Sequence, residues 1–458
     1  MKLAQRGCVP LSRKREITSD LGIVFDGLVE WLVVPMKFAI ISDTHFGDDT
    51  CALITKNVHT NNISPGPKYE AFKNAVGEKN DYLILAGDIF DFSIAPYAKA
   101  YEYGKVFFKL IKQNNIANEI IYIPGNHDAD IWHIVQHQRS VINRLLRGDV
   151  PKQYEHSVAG IIDDREVSPN RGFWLNKVKV RTAAGKPKYG EMFFDFITGK
   201  DDPIAFNFAY PNLYIVTNSE SVLVTHGQYL ESYWSALGEF AVKIAYDDLK
   251  VGEVDIEEMV EMNFPLNQLS CTGLGQAGVL TDVVRQIQID VKGNNLNRVH
   301  KYLNRLENVA DEMTDYVWIK ELVADYLLKK AKEEILSAIG GMEKTRYSEE
   351  FLYKQEVKER FRNFYNASML EIVAINETSP EDQYFNIPAP WRIIFGHTHQ
   401  PISWNEKNPP KLNTASSSLP KRLTLHNTGG WLMNNGSFCG AEVFTYETGQ
   451  GFSSVSIV

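Results

Sequence analysis

Five short runs of apolar, mostly β-branched residues recur along the chain, and each ends in a group of polar residues. The run at 38–42 leads into Asp43-Thr44-His45, and the run at 82–86 into Gly87-Asp88-Ile89-Phe90-Asp91. The run at 120–123 leads through Pro124 and Gly125 into Asn126-His127-Asp128. The runs at 221–225 and 392–395 lead into His226-Gly227 and Gly396-His397-Thr398-His399. Four or five apolar residues stopped by Gly, Pro or Asp read as buried strands. Between them the period lengthens: 67–76, 97–112 and 131–147 read as helices, the last with Ile134, Val141, Ile142 and Leu145 near a helical repeat. Strand and helix alternating over 36–148 predict an α/β fold, in which ligands bind beyond the carboxyl ends of the strands. Five strand ends carrying Asp, Asn and His can therefore converge on one metal site.

Elsewhere the pattern divides the chain. Residues 1–35 begin with a basic stretch and continue through an apolar one carrying Asp26 and Glu30, which is neither a signal peptide nor a span. It reads either as an added amphipathic extension, with contact to a membrane surface as one role, or as the product of a start codon upstream of Met36. Residues 173–180 and 191–197 look strand-like. Residues 213–216 and 222–225 flank Asn218-Ser219-Glu220 as a hairpin. From 231 to 390 helical spacing dominates, with stripes at 279–291 and 296–309 and another on Ile319, Val323, Leu327, Ala331 and Ile335. Residues 423–426, 440–446 and 452–457 return to strand. The division expected is an extension at 1–35, a core at 36–230 and 391–458, and a helical insertion at 231–390 that caps the site.

Charge sharpens that division. Between 231 and 380 Asp and Glu number 26 against 17 Lys and Arg, an excess equal to the whole chain's net charge of −9. The insertion is thus acidic, and no bulk basic surface advertises nucleic acid. A composition of 44% hydrophobic and 23% charged residues over 458 positions is that of a globular protein with a proper core. Cys8, Cys51, Cys271 and Cys439 are scattered and form no CxxC, the pattern of reduced thiols in a cytoplasmic protein. No apolar run reaches the roughly 18 residues of a membrane span.

The motifs DTH, GDIFD, GNHD, a lone strand-end histidine and GHTH, in that order, resemble the signature of the calcineurin-like metallophosphoesterase superfamily. A D-x-H alone is weak, but all five in sequence, each after a strand-like run, are specific. The resemblance covers 36–230 and 391–458. It implies a four-layer α/β/β/α sandwich and two divalent metal ions, Mn, Fe or Zn. It assigns Asp43, His45 and His399 to one metal, Asn126, His226 and His397 to the other, and Asp88 as the bridge. A hydroxide shared by the metals would attack phosphorus. His127 would act as the acid, with Asp128 orienting its imidazole. Asp91 would hold a ligand in place, and Asn427 is either a turn former or part of the site. His133 and His137, one turn apart, read as surface or cleft residues because no third ligand accompanies them.

The substrate expected is a small or lipid-linked phosphoester or pyrophosphate. GDIFDF and GNHD differ from the GDxVDRG and GNHE of Ser/Thr protein phosphatases. GHTHQP resembles the GHTHRP of UDP-2,3-diacylglucosamine pyrophosphohydrolases, although His127 stands where those carry Arg. Two alternatives stay open at this level: a nuclease or phosphodiesterase acting on nucleic acid, and an inactive phosphoesterase fold serving as a scaffold.

Overall fold

The structure, a computed structural model, describes residues 35–57, 59–177, 204–231, 254–268, 349–378, 385–414, 422–434 and 436–458, together with residues 194, 197–199, 235, 271 and 301. Two large mixed sheets organise them. The six-stranded sheet runs Gly451–Ile457, Ala441–Glu447, Lys37–Ile41, Asn80–Leu85, Ala117–Tyr122, Ala205–Phe208. The seven-stranded sheet runs Lys411–Asn413, Arg422–Asn427, Arg392–Phe395, Ser221–Thr225, Asn212–Val216, Gly160–Asp163, Gly172–Leu175. The central strands are largely apolar because both faces are covered: every residue of Ser221–Thr225 is buried, as are four of the five in Lys37–Ile41.

Register explains the convergence. In the first sheet Lys37–Ile41, Asn80–Leu85 and Ala117–Tyr122 are parallel neighbours, with Ile41 level with Leu85 and Leu85 level with Tyr122. Their following loops, carrying Asp43, Asp88 and Asn126, therefore leave at one height. In the second sheet Ser221–Thr225, Arg392–Phe395 and Arg422–Asn427 are parallel, with Val224 level with Ile394 and Phe395 with Asn427. His226 and His397 emerge at that edge. The sheets meet through Tyr82 and Phe173, whose ring centroids lie 5.9 Å apart, and through Phe444 and His426 at 6.2 Å.

Helices cover each sheet. Tyr97–Gln113 buries Ala100, Tyr103, Gly104, Phe107, Phe108 and Ile111, a helical stripe set on the first sheet through Phe108 and Phe206 at 5.2 Å. Gln355–Thr378 packs on the second. Phe361 meets Phe395 at 5.3 Å, and Tyr214 donates to Glu371 at 2.7 Å. This helix falls within the 231–390 segment and covers the sheet itself. The other helical stripes of that segment, and residues 1–34, lie outside the described residues.

Two local expectations are corrected. The helix expected at 131–147 is Ala129–His137 followed by a π-turn, Gln138–Ile142, and a last turn, Asn143–Leu146. The wider π-turn rotates the turn after it, so Ile142 and Leu145 face solvent and the buried stripe rests on Ile131, Trp132 and Val135. At 191–197 a strand is expected, yet Phe194, Ile197 and Thr198 are helical, and Thr198 Oγ1 donates to the carbonyl of Phe194 at 2.9 Å. The spacing of Phe194 and Ile197 suits a helical face, and Phe194 packs on Phe206 at 4.3 Å. Among the described residues no helix is long and apolar enough to cross a membrane.

Candidate metal centre

The loops that end the parallel strands hold several non-glycine residues at positive φ: Asp43 at 53°, His45 at 48°, Asp88 at 52°, His397 at 66° and His399 at 54°. Side chains rarely tolerate this left-handed conformation, and a cluster of five marks a site where surrounding structure enforces it. The loops are tied across the sheets. Asp43 N donates to the Gly87 carbonyl at 2.9 Å, and His397 N donates to both Asp43 oxygens at 3.1 and 3.0 Å. A Cβ at Gly396 would lie 2.3 Å from Asp43 Oδ2, so only glycine permits this approach.

Three groups of side chains bring ligand atoms within 4.8 Å of one another: Asp43, His45 and His399; His45, Asp88 and His127; and Asp88, His226 and His397. In the first, Nε2 of His399 is 3.1 Å from Asp43 Oδ1 and 3.1 Å from Nε2 of His45. In the third, Nε2 of His226 is 3.2 Å from Asp88 Oδ2 and 3.2 Å from Asn126 Oδ1. Asp88 also reaches toward Nε2 of His45, at 3.8 Å, and so stands between the first and third groups. The seven residues expected as ligands thus occupy one continuous cluster, buried except for the half-buried His399. Its donors, imidazole nitrogens and carboxylate or amide oxygens, suit Mn, Fe or Zn. Nε2 of His397 is buried with no hydrogen-bond partner.

Electrostatics agree with a cation-binding centre. Burial works against each charge here; it prevails at His399, whose imidazole it lowers, while at Asp43, Asp88, His45 and His226 the opposite charges outweigh it. Asp43 is held well below the usual carboxylate range by His399 and His45, and Asp88 lies below it through His226 and His127. His226 is pushed up to about 9, chiefly by Asp88. His45 is raised well above its ordinary value by hydrogen bonds to Asp43 and Asp91. Carboxylates that favour nearby positive charge this strongly would receive a metal ion in place of those protons.

His127 and Asp128 do not act as a pair. Asp128 is buried, and its carboxylate accepts from Gly125 N at 2.6 Å, Ile89 N at 2.8 Å and Tyr122 Oη at 2.5 Å. It locks the GNHD loop to the GDIFD loop, and burial together with the charge of Asp88 pushes its carboxyl up to about 6. The imidazole of His127 rests instead on Asp91, with Nδ1 2.8 Å from Oδ1. The other oxygen of Asp91 is 2.8 Å from Nδ1 of His45. Asp91 is thus a supporting residue, as its motif implies, and serves two histidines at once. Adjacency in sequence misdirects here: the turn after Asn126 points successive side chains to opposite sides.

Asn427 is a scaffold residue. Its Nδ2 donates to Gly396 O at 2.8 Å and its Oδ1 accepts from Gly429 N at 2.8 Å, which braces the GHTH turn. Three residues that motif reading passed over also reach the centre. Ser42 Oγ donates to Asp43. Ser93 Oγ lies 2.5 Å from Nδ1 of His127. Glu231 Oε2 is 3.5 Å from Nε2 of His397. His133 and His137 stack on each other at 6.0 Å, away from these groups, beside Tyr154 and Phe264.

Residues 36–236 match the family model of the calcineurin-like phosphoesterases. They form a calcineurin-like phosphoesterase domain. The match carries Asp43, His45, Asp88, Asn126, His127 and His226, and the fold brings His397 and His399 to it from outside. No curated protein matches the chain by sequence. Domains of this kind hydrolyse phosphoesters with the help of metal ions, and the His and Asp groups gathered here have the composition that such chemistry requires.

Proposed function

We propose that this protein is a dinuclear metal-dependent phosphoesterase with a four-layer α/β/β/α core. The observation that carries the reading is the position of Asp88 between two donor sets, Asp43, His45 and His399 on one side and Asn126, His226 and His397 on the other. Two divalent cations, Mn, Fe or Zn, would supply Lewis acidity at the phosphoryl oxygens and an acidified water as nucleophile. The chain's own residues prepare the rest. The loops hold the donors before any ligand arrives, so little reorganisation accompanies reaction. His127 has the most exposed side chain of the five site histidines, at 27%, and burial notwithstanding, Asp91 and Asp88 raise its pKa. A proton on its imidazole would be available to a leaving oxygen.

The substrate is a small or lipid-linked phosphoester. The acidic 231–390 segment leaves the chain after His226 and returns before His397, two residues of one group, so both of its ends are anchored at the centre. It acts as a cap that selects substrate, and its negative charge disfavours nucleic acid. The basic start and mixed polarity of residues 1–35 would allow contact with a lipid surface, and the scattered cysteines suit the cytoplasm.

The test is elemental analysis of purified protein, followed by a panel of phosphomonoesters, phosphodiesters, pyrophosphates and single-stranded DNA with Mn(II). Two metals per chain and turnover of a non-nucleic ester are expected. Asp88→Ala should remove or uncouple both metals and abolish turnover. A variant that keeps two metals and normal turnover would disprove the bridge, and hydrolysis confined to DNA would disprove the substrate class.

A further inference from the structure

Two histidines of the centre, His226 and His45, share an arrangement. A neutral imidazole has one N–H and one lone pair, so whatever accepts the N–H decides which nitrogen can bind a metal. His226 donates Nδ1–H to the carbonyl of Ala86 at 3.0 Å, leaving Nε2 toward Asp88 and Asn126. His45 turns Nδ1 to Asp91 at 2.8 Å, leaving Nε2 toward Asp43, Asp88 and His399. His397 belongs to the group with Asp88 and His226, and its Nε2 is the buried nitrogen without a hydrogen bond. The acceptor facing that nitrogen is the carboxylate of Glu231, at 3.5 Å.

Local structure places Glu231 there. After His226 the chain turns through Gly227, whose φ of 109° is left-handed, into the single 3-10 turn Gln228–Leu230. Glu231 N closes that turn on the Gln228 carbonyl at 3.1 Å, which returns the side chain toward the centre that His226 has just entered. Glu231 is 5% exposed. A carboxylate so withdrawn from water is costly unless it meets positive charge or a strong donor. An imidazole whose other nitrogen holds a cation is such a donor.

We propose that Glu231 is the positioning residue of His397. Its carboxylate takes the Nε2–H, which leaves the Nδ1 lone pair for the cation that Asp88, Asn126 and His226 also hold. The proposal rests on the two-metal reading above. Its approach to the centre is through His397, so Glu231 should control one metal and spare the other.

The experiment measures Zn(II) content and affinity by graded chelator competition for the full chain, with His397→Ala as the reference for loss of one metal. Glu231→Ala should weaken one of the two metals by roughly 10–100-fold, the usual cost of losing such a partner. Glu231→Gln keeps the shape and an acceptor oxygen without the charge, so it should weaken the same metal less. The melting temperature of the metal-free protein should not change in the Gln variant. Both variants retaining both metals at wild-type affinity would overturn the proposal. So would equal weakening of both metals with a lowered melting temperature, which is the mark of a packing role. Wild-type protein that binds fewer than two metals would overturn the two-metal reading and this proposal with it. Two metals in the wild type with no selective loss in the variants overturns Glu231 alone.

Discussion

Nδ1 of His127 lies 2.8 Å from Oδ1 of Asp91, and the second oxygen of the same carboxylate lies 2.8 Å from Nδ1 of His45. One buried carboxylate therefore orients both His127, the proposed acid, and His45, a proposed metal ligand. Asp91 itself is held far on the ionised side by those two histidines despite its burial. His127 and His45 are thereby coupled through a single side chain.

His127→Ala should keep the metals and slow turnover by roughly 10²–10⁴-fold, the contribution of a positioned acid. An activated ester such as p-nitrophenyl phosphate should suffer less, because its leaving group needs less protonation. Kinetics on activated and unactivated esters, with metal analysis of the same samples, check this. Loss of metal would make His127 a ligand, consistent with its closeness to His45 and Asp88.

Asp91→Asn should damage both functions where His127→Ala damages one. Turnover should fall and affinity for the metal at His45 should weaken by roughly 10–100-fold. Ser93→Ala, which leaves the Asp91 carboxylate in place, should have a much smaller effect. Chelator competition beside steady-state kinetics separates the two outcomes. Normal metal affinity in Asp91→Asn would show that His45 does not depend on this contact.

Gly125→Ala should disable the centre without unfolding the sheets. A Cβ there would come 2.3 Å from Asp88 Oδ1 and 2.7 Å from Asp88 N. Such contacts force the bridging carboxylate to move. Circular dichroism should match the wild type while metal content falls. Wild-type metal content would mean that the loop shifts freely.

Phe361→Ala should destabilise the whole domain, because the helix Gln355–Thr378 serves as a covering layer of the second sheet. Phe361 is 1% exposed and packs on Phe395, one residue before Gly396-His397. Loss of a buried aromatic costs about 3–5 kcal/mol. Urea unfolding should show the shift in the main transition. A separate early transition with the main one unmoved would make the helix an appended module.

Acid should destabilise the protein through His426. Burial and Arg392 lower this imidazole from 6.5 to about 4. Arg392 donates to its Nε2 at 2.9 Å, and its Nδ1 donates to the Ser403 carbonyl at 3.0 Å, so the ring is held neutral. The unfolded chain binds this proton more readily than the native one. Stability is thus full above pH 6.5 and is lost as pH falls toward 4, by roughly 3 kcal/mol. His426→Gln should flatten the slope of stability in that window, as measured by denaturant unfolding at several pH values. An unchanged slope would assign the acid sensitivity elsewhere.

The residues proposed as ligands are legible in the amino-acid sequence because each stands at or just beyond the end of its strand. An apolar run specifies a buried strand through local pattern, and the next two or three residues must then lie at its end. Asp43, Asp88, Asn126, His226 and His397 need no more than that, and parallel register brings their loops level. What the side chains meet across the loops is not legible there. Asp128 is next to His127 in the chain yet binds backbone N–H groups of the neighbouring loop, while Asp91 lies 36 residues away and holds the imidazole. Glu231 reads as the start of an acidic insertion, and the turn at Gly227 folds it back under His397. Gln355–Thr378 carries the same helical spacing as its segment, and only the apolar face of the second sheet, completed by Phe395 and Tyr214, decides that it belongs to the core. Periodicity records what each segment must bury. Its partner is set when two sheets and their loops close on one another, and that closure couples residues hundreds of positions apart.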